Sequence, residues 1–161
     1  MKRARFCAVI IDLILIILTL SFIFGNSLQN VETSTKTSEG IVEKVEKLPP
    51  VQNAIKEEKL THGGLVEIIR SLAHVAEFAL LGAEIMLLVL LLELKPVKLW
   101  IFAAFGLCLL VGTTDEWIQS FSDRAPELVD ILKDMLGSLM GGAVAFGAYF
   151  GVKRLFVKKN K

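Results

Sequence analysis

The chain has 161 residues, 53% of them apolar, with 18 Lys+Arg against 17 Asp+Glu and a net charge of +1. That length predicts a single domain over residues 1–161. The composition is too oily for a disordered segment or an ordinary soluble module, and it offers no basic field to hold a nucleic acid. Cys7 and Cys108 both lie inside apolar runs, which argues against a disulfide framework or a cysteine-based metal site.

Apolar runs cover residues 6–24, 72–92, 99–114 and 135–156. Each approaches or exceeds the ~20 residues that a bilayer-spanning helix needs once its polar ends are counted. The expected fold is therefore an all-α membrane protein, a bundle of four transmembrane helices. The first run begins with Lys2-Arg3-Arg5 like a secretory signal. Its apolar part is longer than the usual ~7–15 residues, and no small-x-small site follows, so an uncleaved first helix is expected.

Residues 26–69 form a long connection with seven Glu against five Lys. It divides at Pro49-Pro50. Residues 38–48 can form an amphipathic helix with Ile41, Val42, Val45 and Leu48 on one face, and residues 51–60 a second short one. Both suit the membrane surface or solvent. His62-Gly63-Gly64 is expected to break the chain before the second span.

Basic residues cluster at the N-terminus, in the turn carrying Lys95 and Lys98, and in the tail from Lys153 to Lys161. Four spans place all three on one side, and the Lys/Arg bias makes that side the cytoplasm. The 26–69 segment and the connection between spans three and four then lie outside.

Ionisable residues within a span cost at least ~2.5 kcal/mol each on insertion scales, and they mark pairing or function. In the second span Arg70, His74, Glu77 and Glu84 fall at offsets of 0, 4, 7 and 14, a stripe about 80° wide on a helix. The third span ends in Asp115, Glu116 and Gln119. Arg124 follows, and the fourth helix opens with Asp130 and Asp134 on the same face as Gly137 and Gly141. Three helices thus bring polar groups to one layer near the outer surface. Capping and snorkelling are the ordinary readings of each residue alone; the coincidence of all of them favours a polar pocket. Glu84 is expected to support it, while Asp12 lies in the other half of the bilayer without an assigned role. The Gly137-x-x-x-Gly141-x-x-x-Ala145 spacing permits close helix approach.

The pocket would hold five acids, Glu77, Asp115, Glu116, Asp130 and Asp134, against Arg70 and Arg124, with His74 optional. Protons, water or a divalent cation must compensate the excess. No spacing here matches a metal motif, so neither a metal nor a cofactor is expected.

These residues resemble the VanZ-like family of small bacterial membrane proteins. Phe24-Gly25-Asn26-Ser27 is similar to the family's Phe-Ser-Ser-Gln ending of helix one, and the spaced serines Ser34 and Ser38 follow it. Arg70-Ser71-Leu72-Ala73-His74-Val75-Ala76-Glu77-Phe78 resembles its Arg-Lys-x-x-His-Phe-x-Glu/Tyr segment, with Ser71 in place of the commoner Lys. Asp115-Glu116-x-x-Gln119-x-Phe121, Arg124 and Asp130-x-x-x-Asp134-x-x-Gly137 complete the match. The resemblance implies a multi-pass protein of the bacterial cytoplasmic membrane. Its namesake is linked to reduced susceptibility to teicoplanin-type glycopeptides, and the family name supplies no reaction.

Three functions compete. The first is an envelope protein that binds or modulates an anionic lipid or a partner, with Arg70, His74, Glu77, Asp115, Glu116, Gln119, Arg124, Asp130 and Asp134 as its binding residues. The second is an enzyme acting on an anionic head group, with His74, Glu77, Asp115 and Glu116 doing acid–base work and the arginines holding phosphate or carboxylate. The third is an ion or proton pathway, for which Glu84 and Asp12 are sparse stations. Membrane lipids are the expected partners in the first two; the oligomeric state is left open.

Overall fold

The computed structural model describes residues 2–29, 31–121 and 127–159. Among the described residues six helices follow one another: α1 (Lys2–Ser27), α2 (Val31–Val45), α3 (Pro49–Lys56), α4 (His62–Leu92), α5 (Val97–Gln119) and α6 (Leu128–Lys159). Four of them, α1, α4, α5 and α6, are long and apolar enough to cross a membrane. The expected all-helical, four-span architecture is present.

The helices outrun their apolar stretches, and the reasons are local. α4 starts ten residues before the 72–92 run, at His62. The break expected at His62-Gly63-Gly64 is instead a helix start. Thr61 takes extended backbone and its hydroxyl accepts from Gly64 N–H at 3.1 Å, satisfying one of the first-turn donors that would otherwise lack a partner. α5 continues to Gln119, so its last turn carries the polar residues beyond the apolar run. In the connection, α2 begins at Val31 rather than 38 and ends at Val45. α3 begins at Pro49 rather than 51; a first helical turn tolerates proline because it needs no N–H there.

The interior is narrow. Phe78, Leu81, Ile85 and Val89 of α4 pack with Ile23 of α1 and Ala104, Cys108 and Val111 of α5. Cys7 and Cys108 are free thiols. Many other large apolar side chains point outward, among them Phe102, Leu110, Leu132 and Val144, the arrangement expected where lipid surrounds the helices.

The closest packing is between α4 and α6. A Cβ added at Gly141 would lie 1.7 Å from the Ala79 carbonyl oxygen. At Gly137 it would lie 2.3 Å from that of Val75, and at Gly82 2.3 Å from that of Ser138. The backbones touch where these side chains are missing. The Gly137/Gly141 spacing therefore locks α6 onto α4 and fixes the height at which Asp134 meets His74.

At the other end of the bundle Arg5 of α1 pairs with Glu93, just past α4, at 2.6 Å. The Arg5 hydrogen bond, then its charge, holds the Glu93 carboxyl below the ordinary glutamate range, with Lys153 and Lys95 adding to the effect. The basic residues of the N-terminus, the α4–α5 turn and α6 thus share one end, and the polar residues discussed next share the other.

Candidate functional site

The site is built where α1 and α5 end, α4 is twelve residues in, and α6 begins. His74 Nδ1 donates to Asp134 Oδ1 at 3.1 Å. Asp134 is fully buried, and its Oδ2 has no hydrogen-bond partner among the described residues. It fits because residue 112 is glycine: a Cβ there would sit 3.1 Å from Asp134 Oδ2. One turn further along α6, Ser138 Oγ donates back to the Asp134 carbonyl at 3.0 Å.

Asp115, also buried, accepts from Gln119 Nε2 at 2.7 Å and from the Ser27 hydroxyl. The one-turn spacing of Asp115 and Gln119 orients the carboxylate across the bundle, and Ser27 ties it to the end of α1. Glu77 Oε1 accepts from Asn26 Nδ2 at 2.9 Å, a second tie between α1 and α4. His74, Asp115 and Asp134 each bring a ligand-capable atom within 4.8 Å of the others. One imidazole and two carboxylates suit a transition-metal ion, although Asp115 and one oxygen of Asp134 are already engaged by protein donors.

Beside this cluster lies a cavity of about 330 Å³. Arg70, His74, Glu77, Asp115 and Gln119 line it, with Asn26 and Ser27 from α1. Ser34, Thr37, Ser38 and Ile41 line it from α2, which is anchored by the fully buried Val42. A second cavity of about 300 Å³ adjoins it on the other side of Arg70 and His74, lined also by Glu127, Asp130 and Lys133. Arg70 faces both and makes no hydrogen bond or ion pair among the described residues.

The expected site residues thus separate. Arg70, His74, Glu77, Asp115 and Gln119 share the larger cavity, and Asp134 lies behind His74. Asp130 belongs to the smaller cavity and pairs with Lys133 at 2.5 Å. Glu116 is turned away from both: its Oε2 accepts from Glu127 N–H at 2.7 Å and so caps the start of α6. Its other oxygen is buried without a partner among the described residues. Arg124 lies outside the described residues. Glu84 is not in the cavity but in the α1–α4 seam, where Thr19 donates to it at 3.0 Å. Asp12 shares that seam, buried, with neither oxygen hydrogen-bonded among the described residues.

Sequence reasoning marks Asn26, Ser27 and the spaced serines Ser34 and Ser38 only as part of the family resemblance, and it misses their place at the cavity, together with Lys133 and Thr37. Ser34, Thr37, Ser38 and Ile41 are spaced i, i+3, i+4, i+7, a helical stripe that was legible. Starting that helix at 38 concealed it.

A family model, VanZ/LLP1, matches residues 12–150. The chain belongs to the VanZ/LLP1 family. The match runs from the buried Asp12 of α1 through all the described site residues to Phe150 of α6. With four helices long and apolar enough to cross a membrane, the chain is a multi-pass VanZ-like membrane protein. Neither a curated protein nor a solved structure matches it.

Proposed function

We propose that this VanZ-like protein binds the anionic head group of an envelope lipid in the cavity lined by Arg70, His74, Glu77, Asp115 and Gln119. Both termini then lie in the cytoplasm, as the basic end of the bundle favours. The cavity opens to the outer leaflet of a bacterial cytoplasmic membrane, and α2 is its cover. The observation that carries the reading is Arg70, a cation facing both cavities with no protein partner among the described residues. A fixed guanidinium at a polar cavity matches phosphate or carboxylate through forked hydrogen bonds. The neighbouring acids accept from Ser27, Gln119, Asn26 and His74 and form no ion pair with Arg70 among the described residues.

A binding titration of purified protein with phosphatidate and phosphatidylcholine tests this. Wild type should prefer phosphatidate, and Arg70→Ala should weaken that binding by about tenfold to a hundredfold, the equivalent of a charged hydrogen bond worth ~1.5–3 kcal/mol. Arg70→Lys should recover part of the loss. Equal binding by wild type and Arg70→Ala contradicts the proposal. Where the lipid belongs to wall synthesis, susceptibility to teicoplanin-type glycopeptides is the phenotype to score.

One observation favours a second, enzymatic reading. Asp134 holds His74 through Nδ1, and His74 lines both cavities. That leaves Nε2 for acid–base work on a bound head group, with the aspartate fixing ring orientation. This reading requires a released product from phosphatidate vesicles that His74→Gln abolishes while head-group binding persists.

A further inference from the structure

The polar cavity is not isolated from the hydrocarbon layer. Phe22 and Glu77 line both it and a third, larger hollow of about 640 Å³ on the α1–α4 seam. Leu15, Leu18 and Phe22 of α1 and Ala76 and Leu80 of α4 form the walls of that groove. Thr19 and Glu84, whose polar atoms meet each other at 3.0 Å, also line it. From Phe22 to Leu15 the groove follows seven residues of α1, ~10 Å at 1.5 Å per residue. That is most of one leaflet, half of a hydrocarbon core ~30 Å thick. Leu15, Leu18, Phe22 and Leu80 all have large exposed surfaces.

The elements around the polar cavity restrict how a lipid can occupy it. α2 lines one side through Ser34, Thr37, Ser38 and Ile41, and α5 lines another through Asp115 and Gln119. The α1–α4 seam is where an apolar groove continues from the cavity wall. We propose that the occupant is a phosphate-bearing membrane lipid whose head group sits at Arg70 while one acyl chain runs down the α1–α4 groove past Phe22 and Leu18. Two observations select this occupant over a soluble anion or a protein helix. The polar cavity that holds the Arg70 guanidinium and the apolar groove share a wall at Phe22 and Glu77, so one molecule with an anionic head and an apolar tail satisfies both. The groove also continues past Thr19 to Leu15, ~10 Å along α1, a length of apolar wall that a soluble anion would leave empty. The inference rests on the head-group reading above and adds the chain, the entry route and the residues that grip it.

The test compares chainless and chained probes on the full-length protein in a neutral detergent: inorganic phosphate, glycerol 3-phosphate and dioctanoyl phosphatidate. Wild type should bind dioctanoyl phosphatidate at least tenfold more tightly than glycerol 3-phosphate. Ala76→Trp, which fills the groove from the α4 side, should reduce that advantage to under threefold and leave glycerol 3-phosphate binding unchanged. Leu18→Trp, which narrows it from α1, is the second variant should the first fail to fold. If wild type binds inorganic phosphate or glycerol 3-phosphate as tightly as the chained lipid, the groove proposal fails while the head-group reading stands. An advantage untouched by filling the groove also overturns it. If wild type binds none of the three, both readings fail.

Discussion

His74 and Asp134 show what a single pair does in this bundle. Asp134 is buried against Gly112, and one of its oxygens depends on His74. Removing the imidazole leaves that oxygen buried without its donor, which costs ~1–3 kcal/mol or more for a charged group. His74→Ala should therefore lower thermal stability in detergent by that amount, and His74→Gln, which can still donate, should lose less. Equal melting temperatures for wild type and His74→Ala would mean that Asp134 finds another donor. At this scale the ionisable residues were legible because charge inside an apolar run is conspicuous. Their neutral partners were not: Asn26 and Ser27 look like the polar end of a helix, and nothing in their spacing points to Glu77 and Asp115, which lie 51 and 88 residues away. Glu116 sits on the last turn of α5, as expected, but its side chain is engaged by the backbone of Glu127 rather than lining the cavity. Which face of that turn meets the start of α6 depends on a connection that spacing does not register.

At the scale of elements, the α4–α6 contact sets the site. Gly137 and Gly141 put Asp134 level with His74 by letting α6 lie on the carbonyls of Val75 and Ala79. A methyl group at Gly141 has no room, so Gly141→Ala should destabilise by ~1–3 kcal/mol, the cost of overpacking. Gly147→Ala and Gly151→Ala meet nothing within 4 Å and should be neutral or slightly stabilising, since alanine favours helix. A chemical or thermal melt of the three variants decides it; a Gly141→Ala protein as stable as Gly147→Ala would contradict the packing described. The four spans and the small-residue seam could be read from hydropathy and spacing. The helix ends could not, because hydropathy reports the lipid-facing stretch and not where hydrogen bonding stops. Thr61 capping Gly64, and prolines at the first turn of α3, are local backbone effects that an apolar count does not register.

For the whole molecule, the separation of a basic end from a polar end is the feature that both topology and function rest on. Arg5, Lys95 and Lys153 gather around Glu93, while Arg70, His74, Glu77 and Asp115 gather under α2. The proposed orientation predicts that a cysteine introduced near residue 3, in a chain without Cys7, stays unlabelled by an impermeant reagent in intact cells, whereas one at Lys47 is labelled. The reverse pattern would put the cavity on the cytoplasmic face. The sequence made the convergence of polar groups at one end legible, since three helices deliver charges to the same depth. It did not reveal that α2 supplies a side of the cavity, because a mixed polar helix outside the spans is equally suited to solvent, the membrane surface or a cover. The most direct measurement of the central claim is an experimental structure in nanodiscs containing phosphatidate. The account predicts head-group density beside Arg70 and His74 under α2, with a chain leaving between α1 and α4. A cavity holding only water under those conditions, with lipid ordered elsewhere on the bundle, would contradict it.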